Sequence, residues 1–236
     1  LLNVVDVASY QSSTFGTAGV SMAIVKATES TGYVNPRYAA QVAHARANGL
    51  VVGHYHFGHH GNDTAQVDYF LKHVSLKPGD VLAFDWEAAG ETQADRDAFM
   101  KYLKSKAPQY RVILYCNVDF WTHKDSESYV GDGLWIADPN HSAGHPGIKH
   151  AWLFHQYSTA GGIDHSVANF ANLAALKAWA TGLIPKPAPK PVAPKPVAPK
   201  PVAPKPVTPA APTVATLDKR VTTLEAEVKT LEAKVK

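Results

Sequence analysis

Asp85 and Glu87 lie two residues apart at the end of the apolar run Val81-Leu82-Ala83-Phe84. In an extended chain, residues i and i+2 leave the same face, with Cα atoms roughly 6.5–7 Å apart. Two carboxyls placed this way can work on one scissile bond. Burial beside each other also raises a carboxyl pKa, which lets one of them hold a proton near neutrality. Hydrolysis of a glycosidic bond needs such a pair: an acid for the leaving oxygen and a carboxylate to stabilise positive charge at the anomeric carbon. Asp6, near the end of the apolar stretch Val4–Ala8, offers a third acid. The bland alternative is a strand end that runs into a solvated loop.

Other residue types suggest rival chemistries. His54 and His56 are two apart on another apolar run, with His59 and His60 following. An H-x-H pair at a strand end, completed by an aspartate, is one way to begin a zinc site in a metal-dependent hydrolase. No second histidine cluster at another strand end matches it, so a metal is not expected. Cys116 sits inside Val112-Ile113-Leu114-Tyr115, reads as a small core residue and, as the single cysteine, cannot form an internal disulfide. Ser9 and Ser12 lack a G-x-S-x-G elbow, so nucleophilic hydrolysis has no support.

These residues need elements to position them. Apolar runs at 4–8, 22–29, 50–57, 81–87, 111–117, 134–137 and 151–157 read as strands, with a short, irregular eighth beginning near Gly162-Ile163-Asp164. Helical patterns cover 36–47, stopped by Asn48-Gly49, then 63–74, 92–106 and 169–181; Thr92 and Asp95 have the spacing of a capping box. Early strand–helix alternation favours parallel strands, and the polar ends of successive strands favour an α/β, irregular TIM-like β/α barrel with its site at the C-terminal mouth. No glycine-rich phosphate loop follows a strand, which argues against a doubly wound sheet. The later strands lack long helical crossovers, so irregularity is expected in the second half.

The chain has 236 residues, a formal charge of +3 and all five tryptophans before residue 180. Dense aromatics suit a groove that stacks sugars, and the mild positive charge suits an anionic wall polymer. No basic face interleaved with aromatics points to nucleic acid, and no apolar run reaches transmembrane length, so neither nucleic acid nor membrane is expected as a partner. The chain opens on Leu1 without a signal-peptide pattern, which suggests that residues upstream were removed. Residues 1–183 form the expected catalytic domain. Residues 184–213 carry a Lys-Pro-Val-Ala-Pro repeat that favours an extended polyproline II spacer. From 214 to 236, Val214, Val221, Val228 and Val235 alternate with Leu217, Leu224 and Leu231 at heptad a and d positions, the pattern of a parallel two-stranded coiled coil. Arg220 could pair with Glu225 of a partner, whereas Glu227 would meet Glu232.

Several stretches, in order, resemble the glycoside hydrolase family 25 lysozymes. Val5-Asp6-Val7-Ala8-Ser9-Tyr10-Gln11 resembles the family opening, and Ala23-Ile24-Val25-Lys26-Ala27-Thr28-Glu29 with Tyr33-Val34-Asn35-Pro36 its second motif. Gly53-His54-Tyr55-His56-Phe57, Phe84-Asp85-Trp86-Glu87, Leu134-Trp135-Ile136-Ala137 and Gln156-Tyr157-Ser158 are similar to the later ones. The resemblance spans residues 3–180. It implies an irregular barrel that cleaves the β-1,4 bond between N-acetylmuramic acid and N-acetylglucosamine in bacterial peptidoglycan, outside the membrane, as a phage endolysin or a secreted autolysin does. It implies Glu87 as general acid, Asp85 as acetamido stabiliser or nucleophile, and Asp6 on the pocket floor. Tyr55, Tyr115, Trp135 and Gln156 are implied sugar contacts. Asp164 matches the aspartate of the closing V-D-x-N-x-F stretch without its following asparagine; Asp138 is the alternative. A wall-binding module that has lost catalysis is the second reading, and a metal hydrolase built on His54 and His56 the third.

Three heptads are short, so the tail should associate weakly. Sedimentation is expected to show a monomer–dimer equilibrium that deletion of residues 214–236 abolishes; a monomer at high micromolar concentration would exclude it.

Overall fold

A computed structural model describes residues 1–182. The spacer at 184–213 and the coiled coil at 214–236 lie outside the described residues. The strands are β1 (Leu2–Val7), β2 (Val20–Glu29), β3 (Tyr33–Val34), β4 (Val51–Phe57), β5 (Val81–Asp85), β6 (Arg111–Asn117), β7 (Leu134–Ala137), β8 (Phe154–Ser158) and β9 (Asp164–Ala168). The α-helices are α1 (Tyr38–Ala47), α2 (Asp63–His73), α3 (Gln93–Lys106) and α4 (Leu173–Ala180). β1 pairs with β2 on one side and β9 on the other, which closes eight strands into a barrel; β3 is a short hairpin partner of β2 outside it. Within the barrel the pairings from β1 through β8 are parallel, whereas β9 runs antiparallel to both neighbours.

Strand alternation divides the apolar side chains into two cores. Val4, Met22, Ile24, Val81, Ala83, Ile113 and Phe154 fill the barrel interior. Val5, Ala23, Val25, Val52, Leu82, Phe84, Leu114 and Ile136 point outward and pack with Phe70, Phe99 and Leu103 of the helices. α4 closes the end opposite the mouth. Its Leu176 and Trp179 join the interior core, and Arg111, first residue of β6, donates from Nε to the Trp179 carbonyl at 2.8 Å.

Local sequence signals account for most boundaries. Thr92 and Asp95 form the expected reciprocal capping box on α3, and Gly49 takes φ +71° just past α1. Two expectations are corrected, and two short elements are added. β5 stops at Asp85 rather than Glu87, because the chain turns into a loop that Ala88 and Glu91 close by a backbone bond. The eighth barrel strand is antiparallel, since only the short stretch 159–163, with a 3₁₀ turn at Ala160–Gly162, joins β8 to β9. A π-helix at Phe120–Lys124 and the two-residue β3 had no readable periodicity.

Trp179 is buried against Phe154 and Phe170, with ring centroids 6.0 and 5.4 Å away. Trp179→Ala should therefore cost about 3–5 kcal/mol of stability. Denaturant titration measures this, and KM should stay unchanged because the plug lies at the far end of the barrel.

Candidate active site

The inward-facing positions at the mouth carry Asp6, Lys26, Tyr55, Asp85, Tyr115, Trp135 and Gln156, and pairing register sets their neighbours. Asp85 is the cross-strand partner of Tyr115, and Tyr115 of Trp135. Lys26 partners Tyr55, and Asp6 partners Asp164 across the antiparallel β1–β9 pair. Because β9 runs against the others, it delivers Asp164 to the mouth from its N-terminal end. Strand register thus brings seven of the eight residues expected at the site to one end of the barrel, and Glu87 follows from the loop after β5.

Alternation persists one step beyond β5. Asp85 faces in, Trp86 packs outward against Phe120 and under the Arg96 guanidinium, and Glu87 turns back over the mouth. Asn117, at the end of β6, donates from Nδ2 to Glu87 Oε2 at 3.2 Å. Asn117 was not anticipated as a site residue, although it shares the face of Tyr115 two residues earlier. A hydrogen-bond chain lines the opposite wall: the Tyr115 hydroxyl donates to Gln156 Oε1 (3.1 Å), and Gln156 Nε2 donates to Asp6 Oδ2 (2.9 Å). Trp135 stands edge-on to Tyr115 (4.5 Å) and Tyr55 (6.5 Å), with its indole N–H bonded to the buried Ser166 hydroxyl at 3.0 Å.

Burial dominates the electrostatics. It pushes the Asp85 carboxyl well above the ordinary range, with Glu87 adding repulsion and Lys26 opposing it. Asp85 Oδ1 is buried without a hydrogen-bond partner among the described residues. Burial raises Glu87 as well, partly offset by Asn117. Asp6 is raised first by burial and then by the charge of Asp164, and the two carboxyls share a hydrogen bond. Tyr55 and Tyr115 stay protonated for the same reason, burial followed by the neighbouring carboxylates. Lys26, bound to Glu29 at 2.7 Å, lies over the Phe57 and Tyr33 rings at 4.7 and 5.6 Å. Protonated and charged carboxyls around one opening provide acid catalysis and charge stabilisation together.

Residues 5–165 match the model of the family described as Glycosyl hydrolases family 25. The chain belongs to this family. It is similar to the N,O-diacetylmuramidase of Chalaropsis sp, with 32% identity over 140 residues, 50% of this chain and 66% of that protein. The lysozyme of Streptococcus phage Cp-1 is 30% identical over 130 residues, 50% of this chain and 37% of that protein. The chain therefore spans less than two thirds of either curated relative. Among solved structures, the muramidase from Trichobolus zukalii superposes with a TM-score of 0.67 at 25% identity, covering 77% of this chain and 100% of that one.

Two candidate groups are not at the mouth. His54 and His56 face the helix layer. His54 bonds the Tyr38 hydroxyl (2.8 Å) and Asp80 (3.0 Å), while His56 bonds Thr28 (2.8 Å) and Gln66 (3.2 Å) and stacks on Phe99. Burial lowers both imidazoles, His56 to about 4, so they pack as neutral rings. An i, i+2 pair shares a face, and for His54 and His56 that face is the outer one. Among the described residues, no group of three His, Cys, Asp or Glu could hold a metal ion. Asp138 turns its carboxylate onto the Gly147 amide and His141, both at 2.8 Å, and so organises the β7–β8 loop.

The Asp6–Asp164 pair makes a pH-dependent prediction. Asp6 titrates above its ordinary value of 3.8, so its contribution is complete below pH 3.8 and is lost as pH rises through the folded value. Asp164→Asn removes the opposing charge. The variant should melt higher than the native protein at pH 7, and the gap should close below pH 3.8.

Proposed function

We propose that residues 1–183 form an N-acetylmuramidase that hydrolyses the β-1,4 bond between N-acetylmuramic acid and N-acetylglucosamine in peptidoglycan. The observation that carries this reading is the placement of Glu87 and Asp85 over one opening, both raised by burial, with Glu87 held by Asn117. Family membership supports it, as does likeness to proteins named muramidase and lysozyme.

In this mechanism, protonated Glu87 gives its proton to the glycosidic oxygen as the C1–O bond of muramic acid breaks. Positive charge develops at C1. The acetamido carbonyl of the same sugar closes on C1, and the Asp85 carboxyl accepts the acetamido N–H. Carboxylate Glu87 then takes a proton from the water that opens the ring intermediate, which restores the acid. Asp6 and Asp164 set the negative potential of the floor, and Tyr55, Tyr115, Trp135 and Gln156 contact sugar. Residues 214–236 would pair weakly with a second copy. The site of action is the wall outside the bacterial membrane, reached by phage lysis or by secretion.

Glu87→Gln should lower kcat on purified cell walls by about 10²–10⁴-fold while wall binding persists. Native digests should carry new reducing ends on muramic acid, and chelators should not inhibit. Wall clearing by Glu87→Gln at the native rate would refute the acid assignment. Binding without new reducing ends would favour the wall-binding module.

A further inference from the structure

Glu87 occupies a loop, not a strand, so something must fix where its carboxyl points. Trp86 anchors one side of that loop, its indole N–H bonded to the Thr92 carbonyl at 3.0 Å. The other side is held by Glu91, whose Oε2 accepts the amide of Ala88 at 3.1 Å, the N–H immediately after Glu87. Glu91 is only 2% exposed. Its second oxygen, Oε1, is buried without a hydrogen-bond partner among the described residues. That oxygen faces Gly58, where an added Cβ would collide with it and with the Phe84 ring. The Gly58 amide in turn donates to the Asp85 carbonyl at 3.0 Å. Glu91 thus joins the loop after β4, the end of β5 and the loop that carries Glu87.

We propose that Glu91 is a positioning residue for the general acid: its side chain fixes the Glu87 backbone by holding the Ala88 amide against the β4–β5 seam. This rests on the muramidase reading, in which Glu87 is that acid. The neutral form suits the site. Asp95 on α3, Asp63 on α2 and Asp85 on β5 are like charges around it, and burial lifts its carboxyl to about 8. His60 beside the loop is engaged with Asp95 at 2.9 Å, and Lys124 of the π-helix, which donates to the Glu91 backbone carbonyl at 3.2 Å, opposes the rise more weakly than burial drives it. A protonated Glu91 can hold the amide without placing a further negative charge among these acids.

Three variants test this on the full chain. Glu91→Ala deletes the amide contact, so kcat should fall at least tenfold with KM within twofold, because the sugar contacts stay in place. Glu91→Asp, one methylene shorter, should lose kcat in the same pattern, and decides the matter should the alanine variant not fold. Glu91→Gln keeps an acceptor for Ala88 and should retain kcat within twofold. The glutamine variant also reports on protonation. Glu91 titrates at about 8 instead of 4.5, so native stability is complete below pH 4.5 and falls as pH rises towards 8. Glu91→Gln should therefore gain melting temperature over the native protein across that window and show no gain below it. Folded Glu91→Ala or Glu91→Asp with native kcat would overturn the inference, as would loss of kcat in Glu91→Gln. The two readings fail differently: a native protein that cleaves no peptidoglycan overturns the muramidase assignment, whereas an active native enzyme with indifferent Glu91 variants overturns only the role of Glu91.

Discussion

Closure of the sheet is the constraint on which the rest depends. Because β1 pairs with both β2 and β9, every second side chain of eight strands must point into one enclosed space. Apolar groups fill that space through most of its depth, and α4 seals the far end. Only the mouth can then accept polar groups, and those placed there are desolvated by the walls. The raised carboxyls of Asp6, Asp85 and Glu87 follow from this geometry before any specific contact is considered.

Gathering acids in a desolvated opening opposes stability and serves chemistry. Each carboxyl is held by a different device. Asp6 shares a hydrogen bond with Asp164, Glu87 accepts one from Asn117, and Lys26 lowers the pKa of both Asp85 and Glu87 from its seat over aromatic rings. The polar wall of Tyr115, Gln156 and Asp6 keeps these groups oriented. Strain of this kind is expected where local rules yield to function.

The outer layer shows the same residue types in a different service. His54 and His56 tie β4 to α1 and α2, and Gln41 and Gln66 bond backbone carbonyls at the ends of strands. Arg96 is fully buried, stacked on Trp86 and paired with Asp97 and Asp125. These groups hold helices to the barrel and steady the loop around Glu87. Burial lowers the imidazoles of His54 and His56, which keeps them as neutral rings in this layer.

Much of this was legible in the sequence, because period-two alternation and strand-end polarity are local properties. The runs at 111–117 and 134–137 match β6 and β7 to the residue, and the run at 81–87 contains β5, although the strand ends at Asp85 and leaves Glu87 in the loop beyond it. Which face was another matter. The spacing of His54 and His56 is the same as that of Asp85 and Glu87, yet only barrel closure decides that one pair looks inward and the other out. The reversal of β9, which brings Asp164 opposite Asp6, and the β5 turn that leaves Glu87 dependent on Asn117 and Glu91, arise from contacts between distant segments. Sequence determined the acids and the strands that bear them; tertiary structure decided their orientation and their protonation, since both depend on what lies across the barrel.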